Sequence, residues 1–166
     1  MTKITSKLRA EVADLLHLEA YHLDRHQWAD WLMLYTDEAV FWAPAHVSDG
    51  GFTTDPDNEV SLIYMDRAGL EARIFRIESG DSYASDPLPR TAHLIGNILI
   101  TEAQSDRISV AASWIVHDHS RAYGSITRGG LYEYYLVQRT NGLRIARKKI
   151  NLIDDTIVGP LDIYNL

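Results

Sequence analysis

The sequence predicts an α+β fold in which helices lie on one side of a curved sheet. Two observations predict it. Before Pro89, apolar residues recur at helical spacing in three segments, separated by short strand-like runs. Beyond Pro89, apolar and polar residues alternate along four long segments joined by short turns, which is typical of an antiparallel sheet with one buried face.

Three helices are expected in the first half. Ser6 is a candidate N-cap, because its hydroxyl can accept a hydrogen bond from a free backbone N–H of the first turn. The apolar residues that follow at roughly helical spacing are Leu8, Val12, Leu15, Leu16 and Leu23. A second helical piece covers His26 to Tyr35, and Asp66 can cap a third helix. The core stripe of that third helix is Leu70, Ile74 and Ile77.

The strand-like segments complete the predicted architecture. Short strands at 39–45 and 60–65 flank a long loop at 46–59, and the clearest long strand covers 107–119. The residues expected on the buried face of this long strand are Ile108, Val110, Ala112, Trp114 and Val116. Similar strands flank it at 91–103, 130–140 and 143–153. This order fits an NTF2-like cone, with N-terminal helices packed on a curved, mostly antiparallel mixed sheet.

Length, composition and charge limit the number of domains and the classes of partner that the chain can have. The chain has 166 residues, of which 46% are hydrophobic, and it carries no linker-like or repetitive segment, so one domain over 1–166 is expected. No apolar run is long enough to span a bilayer and no secretory signal is indicated, which favours the cytoplasm. The net charge of −7 argues against nucleic acid, so the basic run at 144–149 is interpreted as a solvated strand face or a partner contact.

The chain contains no cysteine. Disulfides, thiol nucleophiles, Cys-zinc sites and iron–sulfur clusters held by this chain's thiolates are therefore excluded.

Two histidine patterns suggest metal chemistry, and both have simpler interpretations. His117 and His119 project from one strand face, but a metal would need a third ligand, for which His93 is the candidate. We interpret the pair as solvated histidines at a polar strand end. Glu19 and His22 resemble half of a di-iron motif, but the rest of such a site is missing, so a surface helix is expected there.

An aromatic set could line a substrate pocket or fill the core, and we favour the core. Its members are Trp28, Trp31, Tyr35, Phe41 and Trp42. An acid–base site would also need a carboxylate or a histidine deep in that region. Asp24 and Asp30 lie at helix ends, where solvation or capping is expected.

The third helix carries more than a core stripe. Arg73 flanks the stripe, Arg76 lies further round, and Phe75 stands nearly opposite. The stem of Arg73 can pack while a carboxylate or carbonyls satisfy its guanidinium. Arginine and phenylalanine on non-core faces are typical of interfaces, so we expect this helix to be covered on a second side by another chain or segment.

Five segments, collinear at natural spacing, resemble the small (β) subunit of aromatic-ring-hydroxylating dioxygenases. They are LDRHQWADWLMLY, AVFWAPA, TTDPDNEVSLIYMDRAGLEARIFRI, PRTAHLIGNILI and the terminal LDIYNL. The resemblance extends from about Glu19 to Leu166 and is strongest with the benzoate, toluate and anthranilate branch. It is looser over 79–88 and in the strand that contains RGGLYEYY.

The resemblance implies a subunit without chemistry of its own. Such β subunits are NTF2-like and assemble with a large (α) subunit, usually as an α₃β₃ hexamer, and a homotrimer of β chains is a further assembly to test. The α subunit carries a Rieske [2Fe–2S] cluster and a mononuclear iron, and the NADH- and O2-dependent holoenzyme cis-dihydroxylates an aromatic ring, here most similar to the aromatic carboxylate branch. No cofactor, metal ligand or catalytic residue is expected on this chain, which is mainly structural.

Residues of the matching segments are expected to be structural or interfacial. The interface candidates are Arg73, Phe75, Arg76, Arg90, His93, Asp162 and Tyr164. Within the RT.H...N strand, His93 is expected to be hydrogen-bonded rather than a metal ligand, and the terminal DIYNL is expected to dock against a neighbour.

Two alternatives remain open. A stand-alone NTF2-like isomerase or dehydratase would need a closed cavity with a buried carboxylate or a His/Asp pair of perturbed pKa. The inward row from Ile108 to Trp114 has no acidic residue, which disfavours this alternative. A small-molecule-binding module without chemistry is the other alternative.

Overall fold

The computed structural model describes residues 3–82 and 85–166. Its helices are α1 (Ser6–Asp24), α2 (Trp28–Leu32) and α3 (Arg67–Glu78). Its strands are β1 (Tyr35–Pro44), β2 (Ser61–Asp66), β3 (Arg90–Ala103), β4 (Ile108–Ser120), β5 (Gly124–Arg139) and β6 (Gly142–Leu152). The predicted α+β class is confirmed, with helices packed on a mixed sheet.

The strands form one six-stranded sheet in the order β2-β1-β6-β5-β4-β3. Only the β1–β6 pair is parallel, and the other neighbours are antiparallel. β4 shows that one face of the sheet is buried, since the five apolar residues predicted to face the core are each at most 7% exposed. Ile115, the apolar exception on the other face, is 50% exposed.

Local signals position the helices. Asp66 caps α3 as predicted, because its carboxylate accepts from the backbone N–H of Gly69 at 2.8 Å. The expected cap of α1 is wrong by one residue: the hydroxyl of Thr5, not that of Ser6, accepts from the backbone N–H of Leu8. The predicted second helix is shorter than expected, because Tyr35 already pairs with Ile145 of β6 and begins β1.

The core lies between the inner face of the sheet and the helices. All five aromatic residues weighed as core or pocket are at most 5% exposed. The core interpretation is confirmed for four of them, Trp28, Trp31, Tyr35 and Phe41, which belong to the core cluster, whereas Trp42 lies outside it. Trp42 differs from the others, because it lies under the side chains of Arg147 and Lys149, whose cationic groups are 5.0 and 5.2 Å from its ring. No helix in the described part of the chain is both long and apolar enough to cross a bilayer.

Candidate functional site

The carboxylate of Glu19 lies at the centre of a buried polar cluster between α1 and the sheet. Glu19 is 1% exposed, so the expectation of a surface position is wrong for this residue. Its Oε1 accepts hydrogen bonds from Lys148 Nζ at 3.0 Å and from the Tyr35 hydroxyl. Its Oε2 accepts from the Tyr134 hydroxyl at 2.8 Å. The Lys148 ammonium also lies 4.1 Å from the ring centroid of Tyr132, so the charge pair is enclosed by aromatic rings.

The environment of this cluster favours the ionised form of the Glu19 carboxylate. Burial alone would raise the pKa of Glu19, but the Lys148 charge and the hydrogen bonds from Tyr35, Lys148 and Tyr134 outweigh it and lower that pKa. Burial lowers the pKa of Lys148, and Glu19 offsets part of that effect. Burial beside this carboxylate raises the pKa of Tyr35 and Tyr134 well above the usual value, so both hydroxyls stay protonated donors. The Glu19 carboxylate is therefore an acceptor for three donors and joins α1 to the sheet.

A second carboxylate joins the end of α1 to β3. Asp24 accepts from the Thr91 hydroxyl at 2.8 Å, from the backbone N–H of His93 at 3.0 Å and from His93 Nδ1 at 2.6 Å. Burial would raise the pKa of Asp24, but the hydrogen bonds of His93 and Thr91 lower it. The His93 side chain is only 1% exposed. The predicted hydrogen bonding of His93 is confirmed, whereas the expectation of simple solvation or capping for Asp24 is wrong.

The C-terminal segment, defined here as residues 153–166, is bound to α3 by an ion pair. Arg73 donates through Nε to Asp162 at 2.9 Å, and its Nη2 also pairs with that carboxylate. The same Nη2 donates to the hydroxyls of Ser82 at 2.9 Å and Ser85 at 3.2 Å. The hydroxyl of Tyr164 lies 3.0 Å from that of Ser85, and burial raises the pKa of this tyrosine to about 12. The carboxylate expected for Arg73 is therefore one from its own chain.

A second ion pair lies under the same segment. Asp118 faces inward from β4 and pairs with Arg128 of β5, and both side chains are 4% exposed. Arg128 also donates to the carbonyl of Val158 at 2.6 Å, and Asn165 Nδ2 donates to Asp118 at 3.3 Å. The salt bridge is neutral as a pair and its polar atoms are engaged, so it anchors the C-terminal segment to the sheet.

A cleft of about 280 Å³ opens beside this anchor. Its walls include Pro87, Asp118, Arg121, Tyr123 and Tyr164. The buried carboxylate in the wall is already neutralised by Arg128, and neither Glu19 nor the Asp24–His93 pair lines this cleft. Asp86 also lines the cleft, as a carboxylate beside Pro87.

The two strand-end histidines do not converge on a third ligand. His117 Nδ1 lies 2.8 Å from the Thr127 hydroxyl, and His119 Nδ1 lies 2.9 Å from the Ser125 hydroxyl. His93 lies inward, against Asp24, and so is held away from them. Within residues 3–82 and 85–166, no group of three or more His, Asp or Glu side chains is arranged to hold a metal ion.

The predicted interface residues fall into two sets. Arg73 contacts Asp162, the Tyr164 hydroxyl contacts that of Ser85, and His93 contacts Asp24. These four predicted residues therefore have internal roles. Phe75 is 69% exposed, and Arg76 and Arg90 are also exposed. Contact of any of the seven with a partner stays a prediction.

Phe75 borders an apolar groove between α2 and α3. The groove is also lined by Trp28, Leu32 and Ile74, with Glu71 and Glu78 at its edge. An exposed aromatic ring at an apolar groove is a surface composition typical of interfaces.

Sequence reasoning missed the two buried ion pairs, although the signals were present. Glu19 lies on the helix face of Val12, Leu16 and Leu23, and these neighbours are all buried. Asp118 continues the inward row of β4 by strict alternation. Treating charged residues as part of the periodic pattern would have placed both inside.

Comparisons with known proteins agree with this architecture. A family model described as "Ring hydroxylating beta subunit" matches residues 18–158. The chain is 38% identical to the small subunit of 2-halobenzoate 1,2-dioxygenase from Burkholderia cepacia, covering 100% of both chains. It superposes on the β subunit of benzoate 1,2-dioxygenase from Burkholderia mallei with a TM-score of 0.78 and 29% identity, again over 100% of both chains.

A more distant solved structure supports the fold alone. An NTF2-like protein with a cystatin-like fold from Novosphingobium aromaticivorans matches with a TM-score of 0.62 and 16% identity, covering 89% of this chain and 83% of that one. The predicted NTF2-like fold is therefore confirmed. The family match and the full-length similarity show that the chain belongs to the β subunits of aromatic-ring-hydroxylating dioxygenases.

Proposed function

We propose that this chain is the non-catalytic, structural β subunit of a dioxygenase that cis-dihydroxylates an aromatic carboxylate, with the chemistry on a large α subunit. The similarity to subunits of 2-halobenzoate and benzoate 1,2-dioxygenases supports this substrate class. We propose an α₃β₃ assembly in the cytoplasm, in which this chain contributes one NTF2-like domain over 1–166.

One observation supports the structural role: the buried carboxylates of Glu19 and Asp118 are engaged with donors of the same chain. Glu19 is held by Lys148, Tyr35 and Tyr134, and Asp118 is held by Arg128 and Asn165. These contacts tie α1 and the C-terminal segment to the sheet. The donor set also does not fit a Rieske cluster, which needs two cysteines, because the chain has none. We therefore assign that cluster and the mononuclear iron to the α subunit.

The exposed interface candidates support a contact with the α subunit through α3. Phe75 and the adjoining groove offer apolar surface, and Glu71 and Glu78 line the groove. Arg76 is exposed on the same helix. Arg90 begins β3 and is the remaining exposed candidate.

A stand-alone isomerase or dehydratase is the competing function. The Asp24–His93 pair is the observation that favours it, since a buried His/Asp pair with a lowered carboxylate pKa is what such an enzyme would need. This pair joins α1 to β3 and lines neither the cleft nor the α2–α3 groove, so a structural role is favoured.

Co-purification separates these functions. The tagged chain is co-expressed with the large (α) subunit of its dioxygenase. The complex is then isolated, and its mass is measured by light scattering. The proposal expects a stable complex of three large and three small subunits that, with its reductase, NADH and O2, oxidises benzoate or a substituted benzoate. A chain that never retains the large subunit, or that isomerises or dehydrates a small substrate alone, would overturn it.

A further inference from the structure

We propose that an internal water-binding site lies between α1 and the sheet, where ordered water bridges His93 Nε2 and the Tyr132 hydroxyl. The bridge consists of one water molecule, or of two in sequence, with a hydrogen bond to the imidazole at one end and to the phenol at the other. The site goes beyond the proposed function, since it depends on the interior of this chain and not on a large subunit.

The two polar atoms that define the site are buried and unpaired. His93 Nε2 and the Tyr132 hydroxyl have no hydrogen-bond partner among residues 3–82 and 85–166. The His93 side chain is 1% exposed and Tyr132 is 0% exposed. Buried polar side-chain atoms of folded proteins are, in the large majority, bonded to protein or to ordered water, because burial without a partner costs free energy. Two such atoms in one region therefore call for a shared partner.

The strand register brings the two side chains to the same part of the inner face. His93 of β3 pairs with Val116 of β4, so Trp114, two residues before Val116, is its diagonal neighbour. Trp114 pairs with Gly130 of β5, and Tyr132 is the next inward residue of β5. The rings of Trp114 and Tyr132 stack with centroids 5.1 Å apart and an angle of 5°. The indole of Trp114 therefore forms a floor between His93 and Tyr132.

Asp24, at the end of α1, lies close to both side chains. Its Oδ1 lies 2.6 Å from His93 Nδ1, and a carboxylate can only accept, so Nδ1 carries the proton and Nε2 is on the opposite side of the ring. Burial, the charge of Glu19 and the charge of Asp24 raise the pKa of Tyr132 well above its usual value. Charges shift a pKa in this way when they are near the titrating group, so the Tyr132 hydroxyl lies near both carboxylates.

The chemistry of the two atoms selects water as the ligand. With Nδ1 protonated, Nε2 of a neutral His93 is an acceptor, while the hydroxyl of Tyr132 stays a protonated donor. The bridging molecule must donate to one atom and accept from the other, which water does. An anion is disfavoured beside the carboxylates of Asp24 and Glu19. A metal ion would need more ligands, and the described residues contain no group of three His, Asp or Glu side chains arranged to hold one.

The bridge connects two polar clusters that hold α1 on the sheet. The Lys148 ammonium pairs with Glu19 at 3.0 Å and lies 4.1 Å from the ring centroid of Tyr132. Tyr132 is therefore already part of the enclosure around Glu19. Water between Tyr132 and His93 extends that cluster to Asp24 and makes one continuous network beneath α1. A buried polar network in which every member is satisfied makes the surrounding structure more rigid.

Two measurements on the full chain test the site. A high-resolution crystal structure is expected to show ordered water within about 3.2 Å of His93 Nε2 and of the Tyr132 hydroxyl. Tyr132→Phe removes the hydroxyl and keeps the ring that stacks on Trp114, so the midpoint of urea unfolding should fall by about 0.5 M. Tyr64→Phe is the matched control, since Tyr64 is 46% exposed, and it should leave the midpoint unchanged.

A double-mutant cycle tests whether the two atoms share the water. His93→Asn keeps a side-chain N–H near the position of Nδ1, where it can still donate to Asp24, but it removes Nε2. The bridge is then already broken at one end. In this background, Tyr132→Phe should lower the urea midpoint by about half as much as it does in the wild-type chain, or less.

Three results would overturn the proposal: a crystal structure without water at either atom, a Tyr132→Phe midpoint equal to or above that of the wild type, or equal losses in the two backgrounds. An unpaired hydroxyl gives the second result, since its removal relieves the cost of burying it. If a variant fails to fold, the wild-type crystal structure decides. The proposed function fails separately, when the chain never retains the large subunit.

Discussion

Replacing Glu19 by glutamine should destabilise the chain far more than replacing an exposed glutamate on the same helix. The variant leaves the Lys148 ammonium, whose side chain is 1% exposed, without a counter-charge, and it weakens the acceptors for two tyrosine hydroxyls. Removing one partner of a buried pair costs about 3–5 kcal/mol. Each buried hydroxyl left without a full acceptor adds up to about 1–3 kcal/mol, not additively, so we expect a loss of about 4 kcal/mol.

Urea unfolding followed by tryptophan fluorescence measures this loss. With a slope of about 2 kcal/mol per molar urea, the unfolding midpoint should fall by about 2 M. The matched control is Glu11→Gln, because the Lys7–Glu11 pair is exposed at 3.7 Å and should contribute less than about 0.5 kcal/mol. A loss below about 1 kcal/mol for Glu19→Gln would refute the reasoning, since such a value is typical of an exposed ion pair.

The pH dependence gives a second signature of the same site. In the wild type the pKa of Glu19 is lowered by folding, so its contribution is present above the unfolded pKa of about 4.3 and is lost as the pH falls through the folded value. In Glu19→Gln, burial without a counter-charge lowers the pKa of Lys148 further. The unfolded chain then binds the extra proton, so the stability of the variant should rise with pH toward about 10.4.

Three further predictions follow from the other contacts. Asp162→Ala should cost about 2 kcal/mol or more in urea unfolding, because Arg73 loses its carboxylate, and limited proteolysis should then release the C-terminal segment first. Asp24→Asn should cost on the order of 1 kcal/mol at pH 7, and the difference from wild type should shrink as the pH falls through the lowered pKa of Asp24; a difference that grows in acid would contradict the assignment. Phe75→Ser should change the free energy of unfolding by less than about 0.5 kcal/mol, because Phe75 is 69% exposed. Retention of the large subunit on co-expression should decrease. Unchanged assembly and solubility would count against a contact at α3.

The periodicity of apolar residues predicts most of the fold. The inward row of β4 and the stripe of α3 were placed correctly, since apolar alternation and helical spacing depend only on near neighbours. Errors arose where distant contacts decide the outcome. Tyr35 extends the helical spacing of α2, but its pairing with Ile145 of β6 makes it the first residue of β1. No local signal in a single sequence reports a strand partner more than one hundred positions away.

The polar interior was harder to predict, because propensity treats charged residues as exposed. Glu19 is buried only because Lys148, more than one hundred residues later, lies opposite it in the fold. The same holds for Asp24, whose partner His93 lies on β3. The partner of Arg73 was predicted by type, a carboxylate, but its identity as Asp162 depends on how the C-terminal segment folds back.

The central claim is that this chain supports a dioxygenase through its folded framework and its surfaces, without oxygen chemistry of its own. Metal analysis and substrate turnover, measured on the chain alone and on the complex with its large subunit, test it most directly. We expect the isolated chain to hold far less than one iron per chain and to leave benzoate unchanged, while the complex holds iron and consumes benzoate, NADH and O2. Stoichiometric iron in the isolated chain, or turnover of an aromatic acid by it, would contradict the account.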